Sequence, residues 1–95
     1  MLDNKSMPKY LPYVAVMPTK GRRIDYYEIA SIISSFKMPV FLPINRKTAH
    51  YARKRLYEIL CEEVIAVPAK WKELNGYLFL LKSWFNQETQ TRTDH

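Results

Sequence analysis

Apolar residues recur at helical spacing along "RRIDYYEIASIISSFK", where Tyr26, Ile29, Ile32, Ile33 and Phe36 fall on one face. Asp25 stands at the N-cap position and Glu28, three residues on, completes a capping-box pattern. Ile24 and Ile29 flank the cap as a hydrophobic staple. This spacing predicts a helix over about 25–36. A second helix is predicted over 45–62, capped by Asn45, with Ala49, Ala52, Leu56, Ile59 and Leu60 as its buried stripe. Glu62 and Glu63 at its C-terminal end oppose the helix dipole, and nothing local accounts for them, which leaves a salt-bridge partner elsewhere as one option.

The remaining apolar runs are too short for helices. "YVAVM", 13–17, reads as a first strand, and "PTKGRR" after it as a turn broken by Pro18 and Gly21. "MPVFLP", 38–43, is rich in β-branched and aromatic residues and is bounded by Pro39 and Pro43. It reads as a short strand at a sheet edge or a strand end. "VIAVPAKWKEL" and "YLFLLKSWF" are separated by Asn75-Gly76, the dipeptide favoured where both central residues of a hairpin turn need positive φ. A turn there predicts a hairpin over 64–85 that pairs Leu74 with Tyr77, Lys72 with Phe79 and Lys70 with Leu81. Leu78 and Leu80 fall on one face of the second strand, and Tyr77, Phe79 and Leu81 on the other. Both faces are apolar, so both need cover from the core or from a partner. The first twelve residues, with two prolines, read as an extended arm, and 86–95 as a frayed tail. The sum is one small α+β domain of two main helices, a short sheet and a C-terminal hairpin.

Charge then changes the picture. Fifteen Lys and Arg against nine acids give a net charge of +6, a balance that favours a polyanionic partner. The excess is concentrated: "NRKTAHYARKR", 45–55, holds six basic residues and no acid, and no acid occurs between Glu28 and Glu58. Arg46, His50, Arg53 and Tyr57 make one helical stripe, flanked by Lys47 and Lys54, opposite the buried stripe. A solvated face built for solubility usually mixes signs, and this one does not. A helix of this kind fits the DNA major groove, where Arg and Lys meet phosphates or guanine acceptors. Arg22, Arg23, Lys70 and Lys72 are candidates for backbone phosphates.

The order helix, short strand, basic helix, two-stranded hairpin resembles the winged-helix class of DNA-binding domains. The resemblance covers about 24–82 in element order. It implies a recognition helix at 45–62 and a wing carrying Lys70, Trp71, Lys72 and Lys82. The middle helix of that class has no counterpart in "KMPVFLPIN". Either the strand at 38–43 replaces it, or two helices pack on one face of a mixed sheet.

Chemistry finds less support. "HYAR" matches the His-x-x-Arg spacing of tyrosine recombinases, but those enzymes need further cationic clamps, a separately placed tyrosine and a much larger domain. The two glycines stand apart and form no phosphate loop. Ser31, Ser34 and Ser35 have no neighbouring His, and His50 and His95 have no partners at metal-ligand spacing. The expectation is a non-enzymatic protein with no cofactor and no metal.

Cys61, the single cysteine, excludes an intramolecular disulfide, suits a reducing compartment, and reads as a small buried residue near a helix end. "MLDNKSMPKY" has no leader-like apolar core, and the longest apolar run, "YLFLL", is too short to cross a bilayer. A cytoplasmic protein without membrane contact is expected. The leading function is double-stranded DNA binding by a small regulator of transcription or a replication accessory factor, with a homodimer doubling the contact on a symmetric site. A second is a protein-interaction module or inhibitor using Trp71, Tyr77, Phe79, Leu81 and Trp84 as an aromatic surface. A third is RNA or single-strand binding, with bases stacked on sheet aromatics.

Overall fold

The computed structural model describes residues 12–18 and 23–84. The expected arm up to residue 11, residues 19–22 of the first turn (with Arg22) and the tail from 85 onward lie outside the described residues. Six elements follow in the order β1 (Val14–Ala15), α1 (Tyr26–Phe36), β2 (Val40–Leu42), α2 (Arg46–Leu60), β3 (Val64–Trp71) and β4 (Leu74–Leu81).

Both helices begin where their side chains can satisfy orphan N–H groups. The Glu28 N–H donates to Asp25 Oδ1 at 3.1 Å, and the Thr48 N–H donates to Asn45 Oδ1 at 2.8 Å. Both end on a residue in the left-handed region, Lys37 (φ 55°) and Cys61 (φ 57°). Cys61 is therefore not the small core residue expected: it is exposed, and its N–H donates to the Tyr57 carbonyl at 2.8 Å to close α2. Glycine is the usual residue at such a position because it has no Cβ to strain. Cys61→Gly should accordingly stabilise the protein by about 1 kcal/mol, read as a higher urea midpoint at unchanged slope.

The strands form one sheet in the order β1-β2-β4-β3, with β1 parallel to β2 and β4 antiparallel to both of its neighbours. Both helices pack on one face, so the α+β class holds in the form of two helices covering a mixed sheet. Val40, Leu42, Phe79, Leu81 and Val64 face them and join Ile29, Ala30, Ile33, Ala49, Ala52 and Leu56 in the main core. The opposite sheet face carries a second cluster of Phe41, Leu78 and Leu80, with Ile65, Val67, Ala69, Trp71 and Trp84 packed around it. Both faces of β4 are thus buried, as its apolar sequence required.

Two expectations are corrected. Phe36 is 68% exposed, while Ala30 is buried in its stead. The buried stripe of α1 runs Tyr26, Ile29, Ala30, Ile33, and Phe36 falls on its flank as the helix ends. β2 is an inner strand, between β1 and β4, so of the two places its prolines allowed, a sheet edge or a strand end, the strand end holds. Its prolines at 39 and 43 sit just outside the three-residue ladder and remove no ladder N–H; the Pro39 carbonyl even accepts from Val14 N–H at 3.0 Å. The edge strand that does contain a proline is β3, with Pro68.

The second correction moves the hairpin turn. Trp71 pairs with Leu74, so the loop is Lys72-Glu73, and Asn75 and Gly76 lie inside β4 opposite Lys70 and Ala69. Phe79 therefore pairs with Ala66 and Leu81 with Val64, not with Lys72 and Lys70. The reason is at Gly76. A Cβ there would collide with the Leu42 carbonyl oxygen and come within 2.8 Å of both the Phe41 ring and Pro43 Cα. The glycine is needed for the close approach of β2's end, so the turn is left to Lys72, which takes a φ of 57°.

Candidate nucleic-acid interface

The sheet topology decides which charges meet. β1, β2 and β3 run parallel, since β4 opposes both β2 and β3. At their carboxyl ends the chain enters α1, α2 and the hairpin loop respectively. Both helix N-termini and the hairpin tip therefore share one end of the molecule. Beyond the last β2 pair, Leu42 with Tyr77, the tip continues through three further β3–β4 pairs. Arg23 before α1, Arg46 and Lys47 opening α2, and Lys70 and Lys72 at the tip all lie at this end. The helix N-termini add partial positive charge of their own.

Along α2, Arg46, Lys47, His50 and Lys54 are exposed and Arg53 is half-buried, with its Nη2 3.4 Å from His50 Nδ1. Tyr57 continues the stripe at 55% exposure. Lys72 lies over the Trp71 ring, 4.6 Å from its centroid, a cation–π contact that orders the tip. The acids are divided between the two ends: Asp25 and Glu28 at the start of α1 and Glu73 in the hairpin loop stand at this same end, and Glu58, Glu62 and Glu63 at the C-terminal end of α2. Glu62 and Glu63 follow α2, and Lys82 bonds Glu63 twice, side chain to side chain at 3.6 Å and N–H to carbonyl at 2.9 Å. Lys82, placed on the wing by the winged-helix resemblance, is thus far from the basic tip and engaged with the acid that the helix dipole left unexplained.

Sequence reasoning passed over Arg55. On the helix it lies between the basic face and α1, and its guanidinium donates to Tyr27 Oη and to Glu58 Oε1, each at 3.3 Å, while resting 5.4 Å from the Tyr27 ring centroid. The Tyr27 hydrogen bond is the main cause that pushes the already high guanidinium pKa further up; desolvation partly offsets it, and the charges of Tyr27, Glu58 and Tyr51 add to the rise. The Arg55–Glu58 spacing of three was the sequence signal for this ion pair; the contact to Tyr27, twenty-eight residues away, had none.

Tyr26 is half-buried beside Tyr51, their rings edge to face at 5.9 Å between centroids. Burial raises the Tyr26 phenol pKa, Tyr51 raises it further, and Arg55 partly offsets the two. The folded state thus holds this proton more tightly than the unfolded chain. Its contribution is fully present below the ordinary tyrosine value near 10 and is lost as pH rises through the higher folded value. Tyr26→Phe should flatten the alkaline limb of a stability–pH curve relative to wild type, measured by urea unfolding above pH 9.

The aromatic row expected to meet a protein partner is largely internal. Phe79 and Leu81 are buried, Tyr77 packs against the helix-side core, and Trp71 belongs to the opposite sheet face. Among the described residues, no group of three or more His, Cys, Asp or Glu is placed to hold a metal ion, and no helix is long and apolar enough to cross a membrane. No protein-family model, curated protein or solved structure matches this chain.

Proposed function

We propose that this protein is a non-enzymatic double-stranded DNA-binding protein, a small regulator or replication accessory factor. α2 lies along or in the groove through Arg46, Lys47, His50 and Lys54, with Arg53 at its flank. Arg23, Lys70 and Lys72 take backbone phosphates beside it, while Arg22 lies outside the described residues. The observation that carries this reading is the exposed face of α2, which holds Arg46, Lys47, His50 and Lys54 without an acid and opens at the same end of the sheet as the hairpin tip with Lys70 and Lys72 beside Glu73. The acids Glu58, Glu62 and Glu63 stand at the other end of α2, so this helix is polar along its own axis, while Asp25, Glu28 and Glu73 lie at the basic end of the molecule. A single helix reads few base pairs, and a two-fold pair on a symmetric site would double the contact.

The test is a fluorescence-anisotropy titration of a labelled duplex pool at low and moderate salt. Binding that weakens steeply with ionic strength supports the reading, because each neutralised phosphate releases counterions. No affinity at low salt refutes it.

A further inference from the structure

Beside the basic face lies a feature of which duplex binding uses Arg23 alone. Between the start of α1 and the middle of α2 is a cleft of about 660 Å³, lined among the described residues by Arg23, Tyr26, Tyr27, Tyr51 and Arg55 together with Ile24 and Asp25. That volume lies in the range that holds small organic ligands. Its chemistry is aromatic and cationic. Tyr27 and Tyr51 are 64% and 57% exposed, so their rings offer surface to an incoming planar group. The edge-to-face contact with half-buried Tyr26 orients the Tyr51 ring. Arg55 spends donors on Tyr27 and Glu58, and a guanidinium has five. Asp25, the one acid in the lining, already accepts the Glu28 N–H as the cap of α1.

Tyr51 is also one helical turn from Lys47 and from Arg55 and close to Lys54, so the cleft opens onto the basic face of α2. We propose that this cleft takes one unstacked nucleotide from the single-stranded flank of a DNA duplex, its base against Tyr51 and its phosphate between Arg23 and Arg55. This rests on the nucleic-acid reading of α2 and adds a preference for duplex ends or junctions over uninterrupted duplex. Stacking on an aromatic side chain tolerates any base, so the preference depends on strand geometry and not on sequence.

The experiment titrates the full chain with a blunt duplex, with the same duplex bearing a short single-stranded overhang, and with adenosine monophosphate. The overhang should bind about tenfold more tightly than the blunt end, the range expected for one stacked base. Tyr51→Ala should erase that ratio and Tyr51→Phe preserve it; the side chain is largely exposed, and circular dichroism checks that both variants fold. Equal affinity for blunt and overhanging duplexes, or a preference that survives Tyr51→Ala, overturns the cleft assignment while leaving the duplex reading in place. A Tyr51-dependent affinity for the overhang without any for the blunt duplex keeps the cleft and removes the duplex reading. Adenosine monophosphate separates the two sources of the same chemistry: saturable competition with the overhang supports a cleft that also accepts a free nucleotide, and its lack, with the overhang preference intact, supports a strand-borne one.

Discussion

Gly76→Ala should lower the unfolding free energy by about 3 kcal/mol, the upper part of the range for overpacking a filled site. The added methyl meets the Leu42 carbonyl oxygen and Pro43 Cα, which are backbone atoms at the end of an inner strand, as well as the Phe41 ring. A flexible side chain could swing away; these atoms can move only by displacing β2 from β4. Phe41 is fully buried against Leu78 and Leu80, so it has no empty space to enter. For a domain whose total stability is of order 5–15 kcal/mol, the loss is a large fraction. Asn75→Ala is the matched control. Asn75 is exposed within β4, and its replacement should change stability by no more than about 0.5 kcal/mol. If Asn75-Gly76 formed the turn, both positions would need positive φ and both variants would be costly. Urea unfolding distinguishes the patterns by midpoint at constant slope, and a neutral Gly76→Ala would contradict the observed register.

The combined variant Arg46→Ala, Lys47→Ala and Lys54→Ala should cut duplex affinity by roughly two orders of magnitude at moderate salt. It should also reduce the slope of log affinity against log salt by about 3, one for each phosphate contact removed. All three side chains are exposed on α2 and none takes part in a described hydrogen bond or ion pair, so the fold should not register their loss. Lys82→Ala removes one positive charge at the opposite end of the sheet, beside Glu63. It should leave the salt slope unchanged. A similar loss in both variants would mean that net charge attracts DNA without a defined face, and the interface assigned to α2 would fall.

The two helices and the strand at 38–43 were legible because their determinants are local. Asp25 to Glu28 and Asn45 to Thr48 each span three residues, and the apolar stripe of α2 recurs within a turn or two. The same locality makes the basic face readable: once the buried side of α2 is known, Arg46, Lys47, His50 and Lys54 have only one side left. The arrangement of two helices on one face of a mixed sheet was one of the two alternatives that the short segment before α2 allowed. Arg55 was not legible as a bridge between helices, since its partner Tyr27 is brought to it by the packing of α1 on α2. Phe36 and Cys61 misled for a related reason. Apolar character says that a side chain prefers burial, but Phe36 lies on the flank of the buried stripe in the last turn of α1, and Cys61 is itself the left-handed cap of α2.

The hairpin shows where local preference gives way. Asn-Gly is a strong turn signal on its own, yet the chain turns at Lys72-Glu73 and accepts a left-handed lysine there. Placing Gly76 against the end of β2 lets two strands close up and buries Phe41, Leu78, Leu80, Phe79 and Leu81 on the two faces of the sheet. That burial outweighs the preference of one dipeptide, since each large apolar side chain removed from water contributes about 1.5–3 kcal/mol. Helix identity, capping and the sign of the exposed face follow from neighbours within a few residues and can be read along the chain. Strand order, register and the placing of Arg23, Arg46, Lys47, Lys70 and Lys72 at one end depend on pairings that reach as far as Val40 with Phe79, thirty-nine positions apart. Those pairings are chosen by the free energy of the whole core, which no short stretch contains.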